Sequence, residues 1–214
     1  MTSSVVVFDG GNIAENSSLL LLATNNGGKI REYRSLLQEL PVKLVTLAEQ
    51  SITVDVEEVG GSMEENARLK AMTLSRESGL PALADDSGLE VDALGGEPGV
   101  LSARYAGEGA SDSERADLLL SRMEGVPWEE RSAHFRCVIA VAMPDGRCRF
   151  GYGDCPGMIL FQPEGSGGFG YDPVFYIPSL DKTMARLSLE EKNAISHRGK
   201  AVRELPRIVL EFGL

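Results

Sequence analysis

The sequence has few histidines and cysteines and lacks a long apolar run. Only two histidines, His134 and His197, occur in 214 residues, which excludes zinc sites built from several histidines. The three cysteines form no Cys-x-x-Cys pair, and their odd number argues against a disulfide framework, so a reducing cytoplasm is the expected location. The longest apolar runs, such as residues 138–143, are far shorter than the ~20 residues that a membrane span needs. No secretory signal and no membrane association are expected.

Acidic residues outnumber basic residues, 32 against 21, and give the chain a net charge of −11. The phosphate backbone of a nucleic acid repels such a surface, so a nucleic-acid polymer is not an expected partner. A few converging cations, or a metal ion, still permit an anion to bind locally. Nucleotides together with magnesium therefore stay open as ligands.

The spacing of the apolar residues predicts a mixed α/β fold. Residues 1–18 stand apart as an N-terminal extension with a short β-prone run at residues 5–8, and residues 19–214 are expected to form one domain. In the first part of that domain, continuous apolar runs predict strands, and apolar residues at helical spacing predict helices. Polar and apolar residues then alternate over residues 131–161. This order predicts a parallel core with an antiparallel extension.

Glycine, proline and capping residues mark the ends of the predicted elements. The first half of the domain is predicted to contain a strand at 19–23, a helix closed by Pro41, a strand at 42–46, a helix from Ser62 (with Glu65 in a capping box) to about Ser78, and a short strand at 81–84. A helix from about Ser111 to Met123 follows. An antiparallel hairpin or meander is predicted within 131–161, with turns at 144–146 and 156–157, and a last helix starts near His197 and breaks at Pro206.

A glycine-rich turn, residues 24–29, separates the first predicted strand from the first helix. It fails to match a Walker A loop, because Ile30 follows Lys29 and Ala23 stands where the first glycine is needed. Amides at a helix N-terminus still favour a phosphate, and Lys29 adds a positive charge. On spacing alone, anion binding and an ordinary strand–helix turn both stay open.

Two adjacent carboxylates, Asp85 and Asp86, follow the predicted strand at residues 81–84. Neighbouring carboxylates repel each other unless a cation or hydrogen-bond donors hold them. Because successive side chains of a strand point to opposite faces, we expect one of the pair to face a site and the other to brace it. Such an arrangement suits magnesium. A solvated turn is the alternative, and a solvated loop is the simplest interpretation of Glu57 and Glu58.

Two C-terminal segments carry groups that suit a nucleotide. Residues 167–172 place Phe169 and Tyr171 in a glycine-rich backbone, as a platform on which a base can stack. Residues 196–200 gather His197 and two cations at a predicted helix start. A plain glycine-rich turn and a structural histidine are the competing interpretations. The sequence contains no GxSxG elbow and no HExxH.

Taken in order, these segments resemble the inosine/xanthosine triphosphate pyrophosphatases, which act on non-canonical purine nucleoside triphosphates. The resemblance extends from Leu19 to about Leu210. Asn25 departs from the glycine that many relatives have there, although asparagine tolerates the left-handed conformation. The segments that carry the resemblance are residues 22–29, 65–67, 84–89, 94–99, 102–105, 167–173, 191–194 and 196–199.

The resemblance implies an elongated mixed α/β sheet in two lobes with a central substrate cleft, usually in a homodimer. It also implies Mg²⁺-dependent hydrolysis of ITP, dITP and XTP to the monophosphate and pyrophosphate. Asp86 is the implied general base and metal ligand, with Asp85 beside it and Glu58 as the second acidic ligand, for which Glu57 is an open alternative. The implied substrate contacts are Thr24, Asn25, Asn26, Gly27, Gly28, Lys29, Ser87, Phe169, Gly170, Tyr171, Asp172, Lys192, His197 and Arg198.

Two other functions stay open on the sequence. The first is a pyrophosphatase of pyrimidine or modified nucleotides, which product identification from a panel of triphosphates separates from a purine enzyme. The second is a non-catalytic nucleotide-binding module, in which an Asp85–Asp86 pair with Lys29 is unexpected. A turnover assay with magnesium tests it.

Overall fold

The computed structural model describes residues 18–54, 56–58 and 60–214. The β-prone run predicted at residues 5–8 lies outside these residues, so the predicted extension at residues 1–18 stays a prediction. Among the described residues, no helix combines the length and the apolar character that crossing a membrane requires.

Strands and helices alternate in the first half of the described chain, and strands follow one another in the second. The strands are β1 (Ser18–Leu22), β2 (Val42–Thr46), β3 (Ala82–Val91), β4 (Ser132–Ala142), β5 (Cys148–Ile159), β6 (Phe175–Ile177) and β7 (Lys182–Thr183). The helices are α1 (Gly27–Leu36), α2 (Met63–Ser78), α3 (Asp112–Arg122), α4 (Leu189–Ile195), α5 (His197–Ala201) and α6 (Leu205–Phe212), and a 3₁₀ helix occupies Gly99–Arg104.

The strands form one mixed sheet in the order β2-β1-β3-β4-β5-β6-β7. β1 pairs in parallel with β2 and β3, and every later pairing is antiparallel, as the sequence predicts. β1 pairs with β3 only at Leu21 and Leu22, opposite Ala82 and Leu83. Beyond these residues β4 is the strand that pairs with β3, and a single bridge joins Glu90 of β3 to Pro98 on the other edge. The end of β1 therefore leaves one edge of β3 free for other elements.

Apolar clusters cover both faces of the sheet. Leu20 and Leu22 pack in a cluster with Tyr33 of α1, whereas Leu21 packs on the other side with Ala67 of α2. This division follows the two-residue period of a strand. A third cluster covers the antiparallel end and includes Leu89, Leu119, Met123, Phe135 and Phe175. The arrangement in two lobes with a central cleft stays a prediction.

Helix α2 and strand β2 have the predicted positions. The Ser62 side chain accepts a hydrogen bond from the Glu65 amide at 3.2 Å and caps α2, which ends at Ser78. The predicted break at Pro206 is also confirmed, because α5 and α6 are separate helices and Pro206 lies in the first turn of α6, where proline is tolerated.

Two local predictions are wrong. The strand predicted at residues 81–84 runs instead to Val91, because hydrogen-bond donors and cations on both faces of β3 hold Asp85 and Asp86 inside it. The turn predicted at 156–157 lies within β5. Since β5 pairs with β6 only from Met158 onward, the outer edge of the strand at Pro156 needs no amide donor.

Helix α5 lies directly on the backbone of β5. A Cβ atom added at Gly153 would lie 1.8 Å from the carbonyl oxygen of His197, and one at Gly151 would lie 2.5 Å from that of Ala201. Residues two apart on a strand face the same side, so these glycines form a flat track under the helix. The track brings His197 and the following Arg198 against the sheet.

We expect Gly153→Ala to lower the free energy of unfolding by about 1–3 kcal/mol, because a backbone carbonyl cannot avoid the new methyl group by changing rotamer. Gly61→Ala is the control, since its nearest new contact is at 3.5 Å. Urea denaturation of both variants measures the effect. Equal stability of the two variants would contradict a direct contact between α5 and β5.

Candidate active site

The candidate site lies where β1 ends and the chain turns into α1. The Thr24 hydroxyl accepts from the Asn26 amide at 3.2 Å, and Asn26 Oδ1 accepts from the Lys29 amide at 3.0 Å, so the turn is held by its own side chains. A Cβ atom at Gly28 would lie 2.5 Å from the Phe169 ring, so only glycine permits this approach of α1 to residues 167–172. Carboxyl ends of parallel strands are the usual place for a ligand in such sheets.

Two cavities border this turn. The first, here called the aromatic cavity, contains Leu89, Phe135 and Phe169 in its wall, and the second, here called the loop cavity, runs along the turn. Both are lined by Asn26, Lys29, Glu58 and Ala103, so they are neighbours.

Most of the predicted site residues line one or both cavities. Those of the aromatic cavity are Asn26, Lys29, Glu58, Asp86, Ser87, Phe169, Gly170, Tyr171, Asp172, Lys192, His197 and Arg198. Those of the loop cavity are Thr24, Asn25, Asn26, Lys29 and Glu58. Gly27, Gly28 and Asp85 line neither cavity.

Asp85 is buried and is held by two cations. Its Oδ2 lies 2.9 Å from Lys29 Nζ and 3.3 Å from Arg198 Nη2. Burial alone would raise the pKa of Asp85, but Lys29 and Arg198 outweigh it and hold the pKa well below its usual range. Asp85 is therefore ionised and fixes the two cations beside the cavities.

This pair belongs to a longer series of buried charges of alternating sign. Arg198 Nη1 lies 2.5 Å from Glu32 Oε2, Glu32 Oε1 lies 2.8 Å from Lys192 Nζ, and Lys192 in turn pairs with Asp172. Because three cations meet three anions, the series is neutral overall. We call it the charge chain; its members in spatial order are Lys29, Asp85, Arg198, Glu32, Lys192 and Asp172.

Asp86 points to the opposite face of β3, toward α2. Its Oδ2 accepts from Asn66 Nδ2 at 2.9 Å, and its Oδ1 lies 3.8 Å from Lys70 Nζ. Lys70 Nζ also lies 2.8 Å from Glu58 Oε1 and donates to the Asp85 carbonyl oxygen at 2.6 Å. Burial raises the pKa of Asp86 against the opposing effect of Lys70. Its carboxylate is therefore more basic than an exposed one.

Asp86 and Glu58 are the carboxylates that suit a divalent cation. In the part of the chain that the structure describes, no group of three or more His, Cys, Asp or Glu side chains is placed to hold a metal. Magnesium commonly takes one or two carboxylates and completes its shell with water and substrate phosphates. Lys70 Nζ lies within 4.0 Å of both carboxylates, so they already share one cation. This donor set fits Mg²⁺, whereas Glu57 is exposed and lines neither cavity.

The aromatic cavity combines apolar surface with buried polar groups. The His197 ring stacks on Phe135 at a centroid distance of 4.8 Å, and its Nδ1 has no hydrogen-bond partner among the described residues. Burial, together with Arg198 and Lys192, lowers the pKa of His197 well below its ordinary value, so the imidazole is neutral at neutral pH. Lys192 Nζ lies 4.8 Å from the centroid of the Phe169 ring. Such a composition is typical of a pocket for an organic ligand.

Sequence reasoning assigned no role to Lys70 or Glu32. Lys70 lies four residues after Asn66, so helical spacing places both on the face of α2 that meets Asp86. Glu32 lies three residues after Lys29, so helical spacing places it on the same face of α1 as Lys29. Its partner Arg198 is 166 residues away, and no local pattern indicates that contact.

Similarity to known proteins identifies the family of the chain. The sequence model of the Ham1 family matches residues 20–208. The chain belongs to the Ham1 family. This Ham1 protein is 50% identical over 190 residues to a dITP/XTP pyrophosphatase of Desulforamulus reducens, with 89% of this chain and 94% of that one covered. It is 52% identical over 183 residues to a dITP/XTP pyrophosphatase of Geobacter sulfurreducens, with 86% and 92% covered.

Solved structures of other Ham1 proteins have the same fold. The HAM1 protein from Coxiella burnetii matches with a TM-score of 0.81 and 44% identity, covering 91% of this chain and 99% of that chain. The Staphylococcus aureus Ham1 protein matches with a TM-score of 0.80 and 41% identity over the same shares.

We expect Asp85→Asn to lower the free energy of unfolding at neutral pH by roughly 3–5 kcal/mol, because it leaves two buried cations facing a neutral amide. The folded pKa of Asp85 is depressed, so its stabilising contribution is present above the unfolded pKa and is lost as the pH falls. The stability difference from the wild type should therefore be largest near neutral pH and shrink below about pH 4.

Urea denaturation near neutral pH and again below about pH 4 measures this difference. Asp117→Asn is the control, since Asp117 is exposed on α3. A difference for Asp85→Asn that does not change with pH would contradict the ionised state of Asp85.

Proposed function

We propose that this protein hydrolyses the non-canonical purine nucleoside triphosphates ITP, dITP and XTP to the nucleoside monophosphate and pyrophosphate, and so removes deaminated purines from the nucleotide pool. The observation that carries the proposal is that the Asp86 carboxylate lines an aromatic cavity, next to a loop cavity that two lysines line. Curated relatives about 50% identical over most of the chain carry the name dITP/XTP pyrophosphatase, which supports it.

The triphosphate is assigned to the loop cavity. Lys29 and Lys70 line it, and the N-terminal amides of α1 add the positive end of a helix. Thr24 and Asn26 offer further polar groups in the same turn. These groups offset the negative charge of the phosphates, which the acidic surface of the protein would otherwise repel.

Asp86 is the proposed general base for water. It accepts a proton from a water molecule whose oxygen forms a bond to the α-phosphorus. The anhydride bond between the α- and β-phosphates then breaks, and pyrophosphate leaves with the electron pair of that bond. The raised pKa of Asp86 makes it a better proton acceptor. Lys29 and Lys70 stabilise the charge of the leaving pyrophosphate.

Mg²⁺ is the proposed cofactor, with Asp86 and Glu58 as its protein ligands. When bound, it neutralises phosphate charge and helps to orient and acidify water. Lys70 Nζ lies close to both carboxylates and so holds Glu58 near Asp86. Asn66 fixes the other oxygen of Asp86, so the orientation of this carboxylate does not depend on the metal alone.

The purine base is assigned to the aromatic cavity, where Phe169 provides a stacking surface. Arg198 Nε is buried, has no partner among the described residues, and belongs to a residue that lines this cavity. A donor of this kind pairs with a 6-keto oxygen but is left unpaired by a 6-amino group, which discriminates strongly against adenine. Asp85 and Glu32 hold the Arg198 guanidinium in place for this purpose.

The homodimer and the cytoplasmic location are further parts of the proposal. The resemblance to the pyrophosphatase family motivates the homodimer. The described cysteines Cys137, Cys148 and Cys155 are all free thiols, which agrees with a reducing compartment.

The test is a panel of triphosphates, ITP, dITP, XTP, GTP, ATP and the pyrimidine triphosphates, assayed with Mg²⁺ and with product identification by mass. We expect monophosphate and pyrophosphate from the first three, far slower reaction with the others, and no detectable turnover by Asp86→Asn. A preference for pyrimidine triphosphates, or release of orthophosphate, would contradict the assignment. Nucleotide binding without turnover by the wild type would favour a binding module.

Two neighbouring glutamates provide a matched test of the metal ligands. We expect Glu58→Gln to raise the Mg²⁺ concentration for half-maximal rate about tenfold or more, the usual scale for loss of a group at a metal site. Glu57→Gln should leave it unchanged, since Glu57 is exposed and lines neither cavity. A titration of initial rate against Mg²⁺ concentration compares the two variants. The opposite ranking would transfer the role to Glu57.

A further inference from the structure

A carboxylate from another element holds the aromatic segment, residues 167–172. The Gly170 amide donates to Asp112 Oδ2 at 2.6 Å, although the two residues are 58 positions apart in the chain. Asp112 is the first residue of α3, and its other oxygen pairs with Arg115. Both side chains line the aromatic cavity.

Arg115 is itself fixed by main-chain contacts. Its Nη1 donates to the carbonyl oxygens of Ala103 at 3.0 Å and Ala110 at 2.5 Å, and its side chain is only 16% exposed. Ala103 belongs to the 3₁₀ helix Gly99–Arg104, whose Ser102 carbonyl also accepts from Tyr171 Oη at 2.8 Å. The aromatic segment is therefore attached to this helix twice, directly through Tyr171 and indirectly through Asp112 and Arg115.

The main chain is also held on both sides of the Phe169 Cα atom. The Phe169 amide donates to Asp172 Oδ2 at 2.9 Å, and the next amide, that of Gly170, donates to Asp112. Two consecutive amides are thus held by two different carboxylates, and bonds of this charge-assisted kind are stronger than neutral ones. Asp172 is fixed by the charge chain, so Asp112 is the attachment that comes from α3.

We propose that Asp112, held by Arg115, is a positioning residue that sets the place of Phe169 and thereby the affinity for the purine base. The inference rests on the proposed function. It assigns to Asp112 an effect on base binding and none on the phosphates, because its contacts are to the amide of the aromatic segment and to Arg115. The side chain of Asp112 is 46% exposed, at the rim of the cavity.

Asp112 also lies in the first turn of α3, where a negative charge stabilises a helix. A purely structural role would therefore lower the thermal midpoint of a variant without a selective effect on base binding. For this reason the test compares the change in KM with the change in kcat. It also compares binding of inosine monophosphate with binding of pyrophosphate.

The experiment compares Asp112→Ala, Asp112→Asn and the control Asp117→Ala, which removes an exposed carboxylate from the same helix. For Asp112→Ala we expect the KM for ITP and the inhibition constant of inosine monophosphate to rise about tenfold or more, as loss of a charge-assisted bond predicts. The kcat should change less than about twofold, and inhibition by pyrophosphate should stay as in the wild type. Asp112→Asn keeps an acceptor for Gly170 and should give intermediate values.

An unchanged KM with a lowered thermal midpoint would overturn the inference in favour of a structural role. An equal weakening of pyrophosphate and monophosphate inhibition would overturn it as well, since Asp112 would then act on the whole site. Calorimetric titration of the wild type and Asp112→Ala with inosine monophosphate keeps the two proposals separate. If the wild type hydrolyses no triphosphate but Asp112→Ala still weakens monophosphate binding, the proposed function fails and the positioning role stands.

Discussion

Pairing of buried charges is the constraint on which the site depends. A cation that is taken out of water without a partner destabilises a protein by several kcal/mol, yet three cations of the charge chain lie in or beside the aromatic cavity. Each of the two central carboxylates serves two of them, Asp85 between Lys29 and Arg198, and Glu32 between Arg198 and Lys192. Because each of the four inner members has two partners, the chain fixes α1, β3, α4 and α5 relative to one another.

The side chains of Asp85 and Asp86 lie on opposite faces of strand β3. Asp85 turns toward α1 and α5 and joins the charge chain, whereas Asp86 turns toward α2, where Asn66 and Lys70 hold it. The early end of β1 leaves the Asp85 carbonyl oxygen without a strand partner on that edge, and Lys70 Nζ donates to it. A carboxylate with a lowered pKa and one with a raised pKa can therefore occupy consecutive residues, because they lie in different surroundings.

Local patterns predicted the elements that depend on nearby residues, such as the helix that begins after Ser62 and the strand Val42–Thr46. They failed at Asp85 and Asp86, because two polar residues in a row mark the end of a strand unless donors cover both faces, and those donors come from distant elements. Most of the site residues that the resemblance to a known family implied line one of the two cavities. The residues that hold them, Glu32 above all, depend on contacts between distant parts of the chain.

The glycine track on β5 has a consequence for how this protein can evolve. Main-chain atoms of α5 lie against main-chain atoms of the sheet at Gly151 and Gly153, and no residue smaller than glycine exists. Selection therefore cannot adjust the spacing between helix and sheet in small steps, as it can where side chains of graded size meet. The separation of α5 from the sheet is inherited with the backbone. Under the proposed function, new base preferences have to arise from the polar side chains on α5 and from the aromatic segment.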